Sequence, residues 1–381
     1  MKAINGKRVR ELREAKGWTR KMLEEKSGIS ERTIARIEGK NPPACAGSTV
    51  ELLALALKVP SCVILVEHSN ECFGIGDDEL VMLGVDMCES IAAELKDIDP
   101  TVLAVTSIEE FRGKFSRQID NKATFAAQNV LRRFTKSKVD LRGEDLGGPP
   151  DLEALVAANL DALDGTEHWV RGGGSNLYCT AVSFFTGQEG QRALRVSVVM
   201  DACGRIFYAR QDLGHSFYAS SRETFLVGTH DQLTLDLRRI PKIEDIEHAH
   251  VCTVARRPDH YRDLAPYFAS VPCNGLYTYG GNPVLAPLAM SGFDAVFQLN
   301  KTKAGSQPAW DWISGLHIAQ NSGCCVMRLD GSTFDLVTEA EANFNSPGRV
   351  SPGYIAATSE TLGRQLANWI SRVGLAPADH C

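Results

Sequence analysis

Over the first sixty residues, apolar positions recur at helical spacing in short blocks. From Gly6 to Lys16, Val9, Leu12 and Ala15 form one stripe with charges elsewhere, which predicts a short amphipathic helix ending at Gly17. Thr19 is a candidate N-cap for a second helix, with Met22 and Leu23 facing inward and Gly28 closing it. Ser30 is a candidate cap for a third, with Ile34 and Ile37 toward the core and Gly39 as its stop. After Asn41-Pro42-Pro43, a fourth helix starts at Ser48 or Thr49 and carries Val50, Leu52, Leu53, Leu55 and Leu57. Residues 67–78 lose the periodicity and gain polar and glycine residues, so the pattern places a linker there. Beyond it, Leu80, Leu83, Met87, Ile91 and Leu95 predict a long helix, and a second follows near Lys122 to Phe134. Strand-like runs come next, at Leu177–Phe185, Leu194–Met200, Arg205–Arg210, Val251–Val254, Asp294–Leu299 and Cys324–Arg328. Helical stretches near Asn282–Met290, Trp310–Gln320 and Ser359–Arg372 alternate with them. The expected organisation is multidomain: an all-α unit of four or five helices over 1–66, a linker over 67–78, and a layered α/β domain over 79–381.

Composition changes this picture little. With 381 residues, 44% hydrophobic and 23% charged, the chain is an ordinary globular mixture, which excludes disordered, collagen-like and coiled-coil classes. Charge changes it more. The first forty residues hold twelve Lys and Arg against six Asp and Glu, a net of +6, while the remainder carries −12. A basic head on an acidic body suggests a polyanion-binding module fused to something else. The longest nearly apolar stretch, Leu52 to Val66, is broken by Lys58 and Pro60, so no membrane span is expected. The charged N-terminus has no apolar core behind it, so no signal peptide is expected either. The eleven cysteines form no C-x-x-C pair and read as reduced thiols in a cytoplasmic protein.

In the head, a three-residue Gly28-Ile29-Ser30 turn between the second and third helices matches a helix-turn-helix. The run Leu12 to Thr19, then Ser27-Gly28-Ile29-Ser30, then Thr33 to Gly39 resembles the lambda-repressor-like (Cro/repressor, XRE-type) family over roughly residues 6–66. The resemblance implies that the third helix enters the major groove of an operator. It places Arg20 near a phosphate and turns Glu31, Arg32 and Arg36 toward the groove. Arg pairs bidentately with guanine or grips phosphate, and Glu accepts from cytosine. Arg8, Arg10 and Lys21 add attraction that weakens as salt rises. A helix-turn-helix reading a palindrome implies a homodimer.

In the body, candidate chemistry lies in acidic clusters. Asp161-Ala162-Leu163-Asp164-Gly165-Thr166 sets two carboxylates three apart before a Gly-Thr turn. At a strand end, both carboxylates and the Leu163 carbonyl can aim at one point, while the Gly165 and Thr166 amides present donors. Hard cations take oxygen ligands, and phosphate takes amide donors beside a metal. Gly143-Glu144-Asp145 offers a further carboxylate beside a turn, and Trp310-Asp311-Trp312 sets an acid among aromatic residues.

Together these segments resemble the inositol monophosphatase superfamily, which includes fructose-bisphosphatases and bisphosphate nucleotidases, over roughly residues 79–373. The family's order is a Gly-Glu-Glu turn, then Asp-Pro-Ile-Asp-Gly-Thr, then Trp-Asp with a following small residue and Gly; Gly353 to Ala357 and a final helix fit its ending. The resemblance implies an αβαβα layering and a Mg²⁺-dependent phosphomonoesterase. Glu144, Asp161 and the Leu163 carbonyl would hold one ion, and Asp161, Asp164 and Asp311 the next. Gly165 and Thr166 would bind the phosphate of a small phosphorylated metabolite, and Thr166, oriented by Asp120, would position the attacking water. The chain departs from the family at Ser116-Arg117-Gln118-Ile119 ahead of Asp120, at Ala162 in place of Pro, at His168 and Trp169, and at Gln320 to Gly323. None of these removes a carboxylate. His168, His215 and His317 read as ordinary core or surface histidines. The readings that follow are a DNA-binding transcriptional regulator with a phosphatase-like body, a phosphomonoesterase whose head only localises it, and an inert sensor.

Overall fold

The computed structural model describes residues 4, 6–39, 45, 47–57, 75–96, 98, 116–134, 138–143, 146, 151, 154–166, 178–187, 192–227, 235–236, 242–253, 265–266, 268–279, 281–290, 293–299, 309–344 and 353–374. They fall in two compact units, Met1–Gly76 and Asp77–Cys381.

The first unit holds α1 (Gly6–Ala15), α2 (Arg20–Ser27), α3 (Glu31–Ile37) and α4 (Gly47–Leu57). Both predicted caps form. The Thr19 hydroxyl accepts from the Met22 amide at 3.2 Å, and the Ser30 hydroxyl from the Thr33 amide at 3.3 Å. Val9, Leu23, Ile34, Ile37, Val50, Leu53 and Leu57 close a common core. Met22 faces outward instead of inward, because the buried side of α2 is set by Leu23 and Ser27, four residues apart. Leu52 and Leu55 are likewise exposed, since the inward stripe of α4 is Val50, Leu53, Ala54 and Leu57. Glu38, just past α3, accepts from Arg13 at 2.6 and 2.9 Å and from Arg20 at 2.8 Å, tying three helices together.

In the second unit, α5 (Asp77–Lys96) starts inside the stretch that the pattern assigned to a linker. Its first turn is acidic, as a helix N-terminus favours, and Leu80, Leu83, Met87, Ile91 and Leu95 are all buried. α5 packs on α6 (Ser116–Arg133). A seven-stranded sheet runs in sequence order from β1 to β7: β1 (Val139–Gly143), β2 (Val156–Asp164), β3 (Cys179–Thr186), β4 (Ala193–Asp201), β5 (Ile206–Arg210), β6 (His215–Ala219) and β7 (Leu235–Asp236). Only the β1–β2 pair in it is parallel. After α7 (Arg222–Val227), a five-stranded sheet takes the order β11–β12–β10–β8–β9, built from β8 (His250–Thr253), β9 (Gly275–Tyr277), β10 (Ala295–Gln298), β11 (Cys325–Arg328) and β12 (Tyr354–Ala357).

The remaining helices are α8 (Asn282–Leu285), α9 (Ile313–Asn321), α10 (Leu336–Phe344) and α11 (Glu360–Arg372). α8 and α9 lie between the sheets, in one core with Ala181, Val199 and Phe207 of the first sheet and Val296, Tyr354 and Ala356 of the second. The alternate residues Val251, Ala295, Phe297, Ile355 and Ala357 turn to the opposite face and pack with Leu362, Leu366 and Ile370 of α11. α5 and α6 cover the outer face of the first sheet. The layering is therefore αβαβα, as the resemblance implies. No described helix is long and apolar enough to cross a membrane.

Candidate functional site

β2 is buried along its whole length. Its pairing with β3 slips at the far end: Asp161 faces Ala181 but Asp164 faces Cys179, so three steps on β2 match two on β3. The extra residue is a bulge, a device that bends a strand and re-aims its side chains. The strand ends at Asp164, and the next residue, Gly165, has a φ of +92°, in the region that penalises a Cβ. Asp161 and Asp164 are both buried. Burial, followed by the charges of Asp164 and Asp161, pushes the Cys179 thiol well above its ordinary range, so it stays protonated beside them.

Thr166 follows directly. Its hydroxyl lies 2.9 Å from the Leu163 carbonyl and 3.0 Å from Oδ1 of Asp120 on α6. One hydroxyl proton thus serves two acceptors, and the chain brings together two residues 46 positions apart that the sequence reading paired. Asp311 is buried in the 3₁₀ turn Ala309–Asp311, which packs against β2. Glu144 and Asp145 lie outside the described residues. Among the described residues, no three His, Cys, Asp or Glu side chains gather into a metal cage.

A residue that sequence reasoning treated only as a helix start joins these parts. Asn282, with no exposed surface, gives its backbone N–H to Oδ2 of Asp164 at 2.9 Å. Its Nδ2 donates to the Trp310 carbonyl at 2.7 Å, and its Oδ1 accepts from the Gly315 amide at 2.8 Å. The local signal was Gly281-Asn282-Pro283, which reads as a turn and nothing more.

His317 is a core histidine, as expected. Burial pushes its pKa down to about 3, so it is neutral. Its Nδ1 lies 2.8 Å from the Ser197 hydroxyl, which lies 2.7 Å from that of Ser183, itself 2.7 Å from that of Ser314. His215, on β6, is half-buried, and His168 lies outside the described residues.

In the first unit, α3 exposes Glu31 in its first turn and Arg32 and Arg36 on the side away from Ile34 and Ile37. Arg20 is half-buried, with its Nε on Glu38, so its guanidinium is oriented by the fold. Lys16 and Lys26 sit over the Trp18 ring, at 5.5 and 4.9 Å from its centroid.

A helix-turn-helix family model matches residues 9–63. No curated protein matches the sequence. Solved structures match its fold. SuhB from Mycobacterium tuberculosis is 17% identical with a TM-score of 0.55, over 79% of this chain and 99% of its own. An inositol monophosphatase from Anabaena is 12% identical with a TM-score of 0.53, over 77% and 96%. An IMPase of Thermotoga maritima is 13% identical with a TM-score of 0.54, over 78% and 97%. The chain therefore joins a helix-turn-helix segment to a domain with the inositol monophosphatase fold.

Proposed function

We propose that the protein is a DNA-binding transcriptional regulator whose larger unit binds and hydrolyses a small phosphomonoester with Mg²⁺. The observation that carries the enzymatic half is the Thr166–Asp120 hydrogen bond at the bulged end of β2, beside the buried Asp161 and Asp164. The donor set is carboxylate, carbonyl and hydroxyl oxygen, which suits a hard cation. Asp161 and the Leu163 carbonyl, with Glu144 from outside the described residues, would hold one ion, and Asp161, Asp164 and Asp311 the next. Mg²⁺ bound there supplies an acidified water and charge neutralisation at the phosphoryl group. The chain's own residues do the rest. Thr166 passes its hydroxyl proton toward Asp120, which frees an Oγ1 lone pair to take a proton from the attacking water. The Gly165 and Thr166 amides hold the phosphate oxygens.

The DNA-binding half rests on α3. Its exposed Arg32, Arg36 and Glu31 suit base edges in the major groove, and the basic charge of the head suits phosphates. Arg20, ion-paired with Glu38, would touch phosphate from a fixed orientation. Two copies of the chain would span a palindromic operator, and the protein would work in the cytoplasm beside its DNA. Phosphate release with Mg²⁺ tests the enzyme: Asp161→Ala and Asp164→Asn should each abolish turnover, and turnover that persists in them refutes the metal assignment. For the head, Arg32→Ala and Arg36→Ala should weaken operator binding and reduce its salt slope. An unchanged slope refutes the groove assignment.

A further inference from the structure

We propose that Asn282 is a positioning residue that holds the Asp164 carboxylate and the segment bearing Asp311 in fixed relation. This rests on the reading of those two acids as metal ligands and extends it to a residue outside the motif segments. Helix α9 begins at Ile313 with Trp312 in the N-cap position, and Trp312 makes no side-chain cap hydrogen bond. The first amides of a helix have no partner within it. For Gly315, the third helical residue, the partner normally comes from the N-cap side chain. Here it comes from the Oδ1 of Asn282, 33 residues earlier in the chain.

The other end of the same amide accounts for the choice of Asn. Nδ2 donates to the Trp310 carbonyl, so the side chain grips the chain on both sides of Asp311. A carbonyl on one side and an N–H on the other admit only one orientation of the amide. Neither Asp, with no donor, nor Ser, with a single short hydroxyl, meets both demands. The backbone of Asn282 meanwhile holds Oδ2 of Asp164. This close approach requires the preceding glycine. Gly281 has a φ of +86°, and a Cβ there would lie 2.8 Å from Oδ2 of Asp164. One dipeptide thus holds the end of β2 by its main chain and the Asp311 turn by its side chain.

The test is Mn²⁺ affinity of the full chain, followed by electron paramagnetic resonance, with thermal stability measured in parallel. Outer partners that orient metal ligands contribute about 10–100-fold in affinity, so Asn282→Ala should weaken Mn²⁺ binding by about that factor. The control is Leu366→Ala, on the buried face of α11, which lowers stability without touching this site and should bind Mn²⁺ within about twofold of wild type. If Asn282→Ala does not fold, Gly281→Ala carries the test, because it moves Asp164 directly and should show a loss of the same order. Wild-type affinity in Asn282→Ala, or in Gly281→Ala where that is the variant tested, overturns the inference while leaving the functional reading intact. A loss in Leu366→Ala equal to that in Asn282→Ala also overturns it, because general loosening would then account for the effect. A wild-type chain that binds no Mn²⁺ at millimolar concentration overturns the functional reading, and the inference falls with it.

Discussion

Glu38 offers the sharpest test of how the head is held together. Its side chain has no exposed surface and accepts three charge-assisted hydrogen bonds, two from Arg13 and one from Arg20. The two arginines differ in what happens when Glu38 is removed. Arg20 has 41% of its side chain exposed and can return to water, whereas Arg13 has 8% and cannot. Glu38→Ala therefore takes the buried carboxylate from Arg13 and leaves it only the Trp18 carbonyl at 2.7 Å and Glu14 at 3.3 Å, which costs about 3 kcal/mol, the low end for a broken buried pair. Folded domains hold roughly 0.05–0.15 kcal/mol per residue, so a unit of this size has about 4–11 kcal/mol to lose. A loss of 1 kcal/mol shifts the melting temperature of a small domain by about 4–8 °C. Calorimetry of Glu38→Ala should then show the transition of the head lowered by more than about 12 °C, or absent, with that of the body in place. Under the proposed DNA-binding role, operator binding should fail with it. Arg13→Met combined with Glu38→Leu should recover most of the loss, because replacing both partners leaves no buried charge. The pH dependence has a definite sign. Burial works to raise the Glu38 pKa, but Arg13 and then Arg20 hold it below the usual carboxylate range. A lowered folded value means that this stabilisation is present above the ordinary carboxylate pKa and lost as pH falls through the folded one. A shift below about 4 °C in Glu38→Ala would refute the account of Glu38 as the centre of the head.

Other expectations concern the body. The pKa of His317, pushed down to about 3 by burial, implies stability that is complete above its ordinary value of 6.5 and declines as pH falls from there toward 3; denaturant titrations of His317→Gln at several pH values should show a flatter profile. Asp77 is the opposite case. Burial, and then the neighbouring Asp212 with which it shares a hydrogen bond, raise it to about 7 despite Arg195 at 2.6 Å, so the body should lose stability as pH rises from about 4 through 7, and Asp77→Asn should flatten that slope in the same titrations. Under the proposed reaction, Asp120→Asn should lower kcat by about 10²–10⁴-fold with little change in KM, read by phosphate release, since it takes away the charged acceptor behind Thr166.

Local features were the most legible in the sequence. Thr19 and Ser30 cap helices as their positions predict, because a cap is decided by a few neighbouring residues. Met22, Leu52 and Leu55 were harder to place, since an apolar residue one step off the helical stripe looks the same in a list of hydrophobic positions. β2 carried little strand signal. Val156-Ala157-Ala158-Asn159 is rich in Ala and broken by a buried amide, and strand character there comes from pairing on both edges rather than from propensity. The D-x-x-D-G-T segment was visible as a motif, but the bulge between Asp161 and Asp164 depends on the register with β3, which no local pattern encodes. Asn282 was invisible as a functional residue. Its three partners lie 28 to 118 positions away, and an Asn before Pro is common in any turn.

Helix α9 sets where the Asp311 turn lies relative to the first sheet. Its N-terminal end is gripped by Asn282, and its first two turns carry Ser314 and His317 toward the first sheet. Both lie among apolar neighbours such as Ile313, Leu316 and Ile318. Apolar packing alone tolerates a helix that slides or rotates by a fraction of a turn, because area buried changes little. Hydrogen bonds do not tolerate it. The Ser183–Ser314 and Ser197–His317 contacts fix how α9 sits on β3 and β4, and an unmade buried hydrogen bond costs about 1–3 kcal/mol. β3 in turn fixes the bulged end of β2. The position of Asp311 relative to Asp161 and Asp164 therefore follows from a small number of polar bonds set in an apolar interior, and these bonds lie outside the acidic motifs themselves. Under the proposed metal-binding reading, a related chain could retain all the carboxylates and still lose the geometry of the site, and the seam of Ser183, Ser197, Ser314 and His317, together with Asn282, is where that loss would begin.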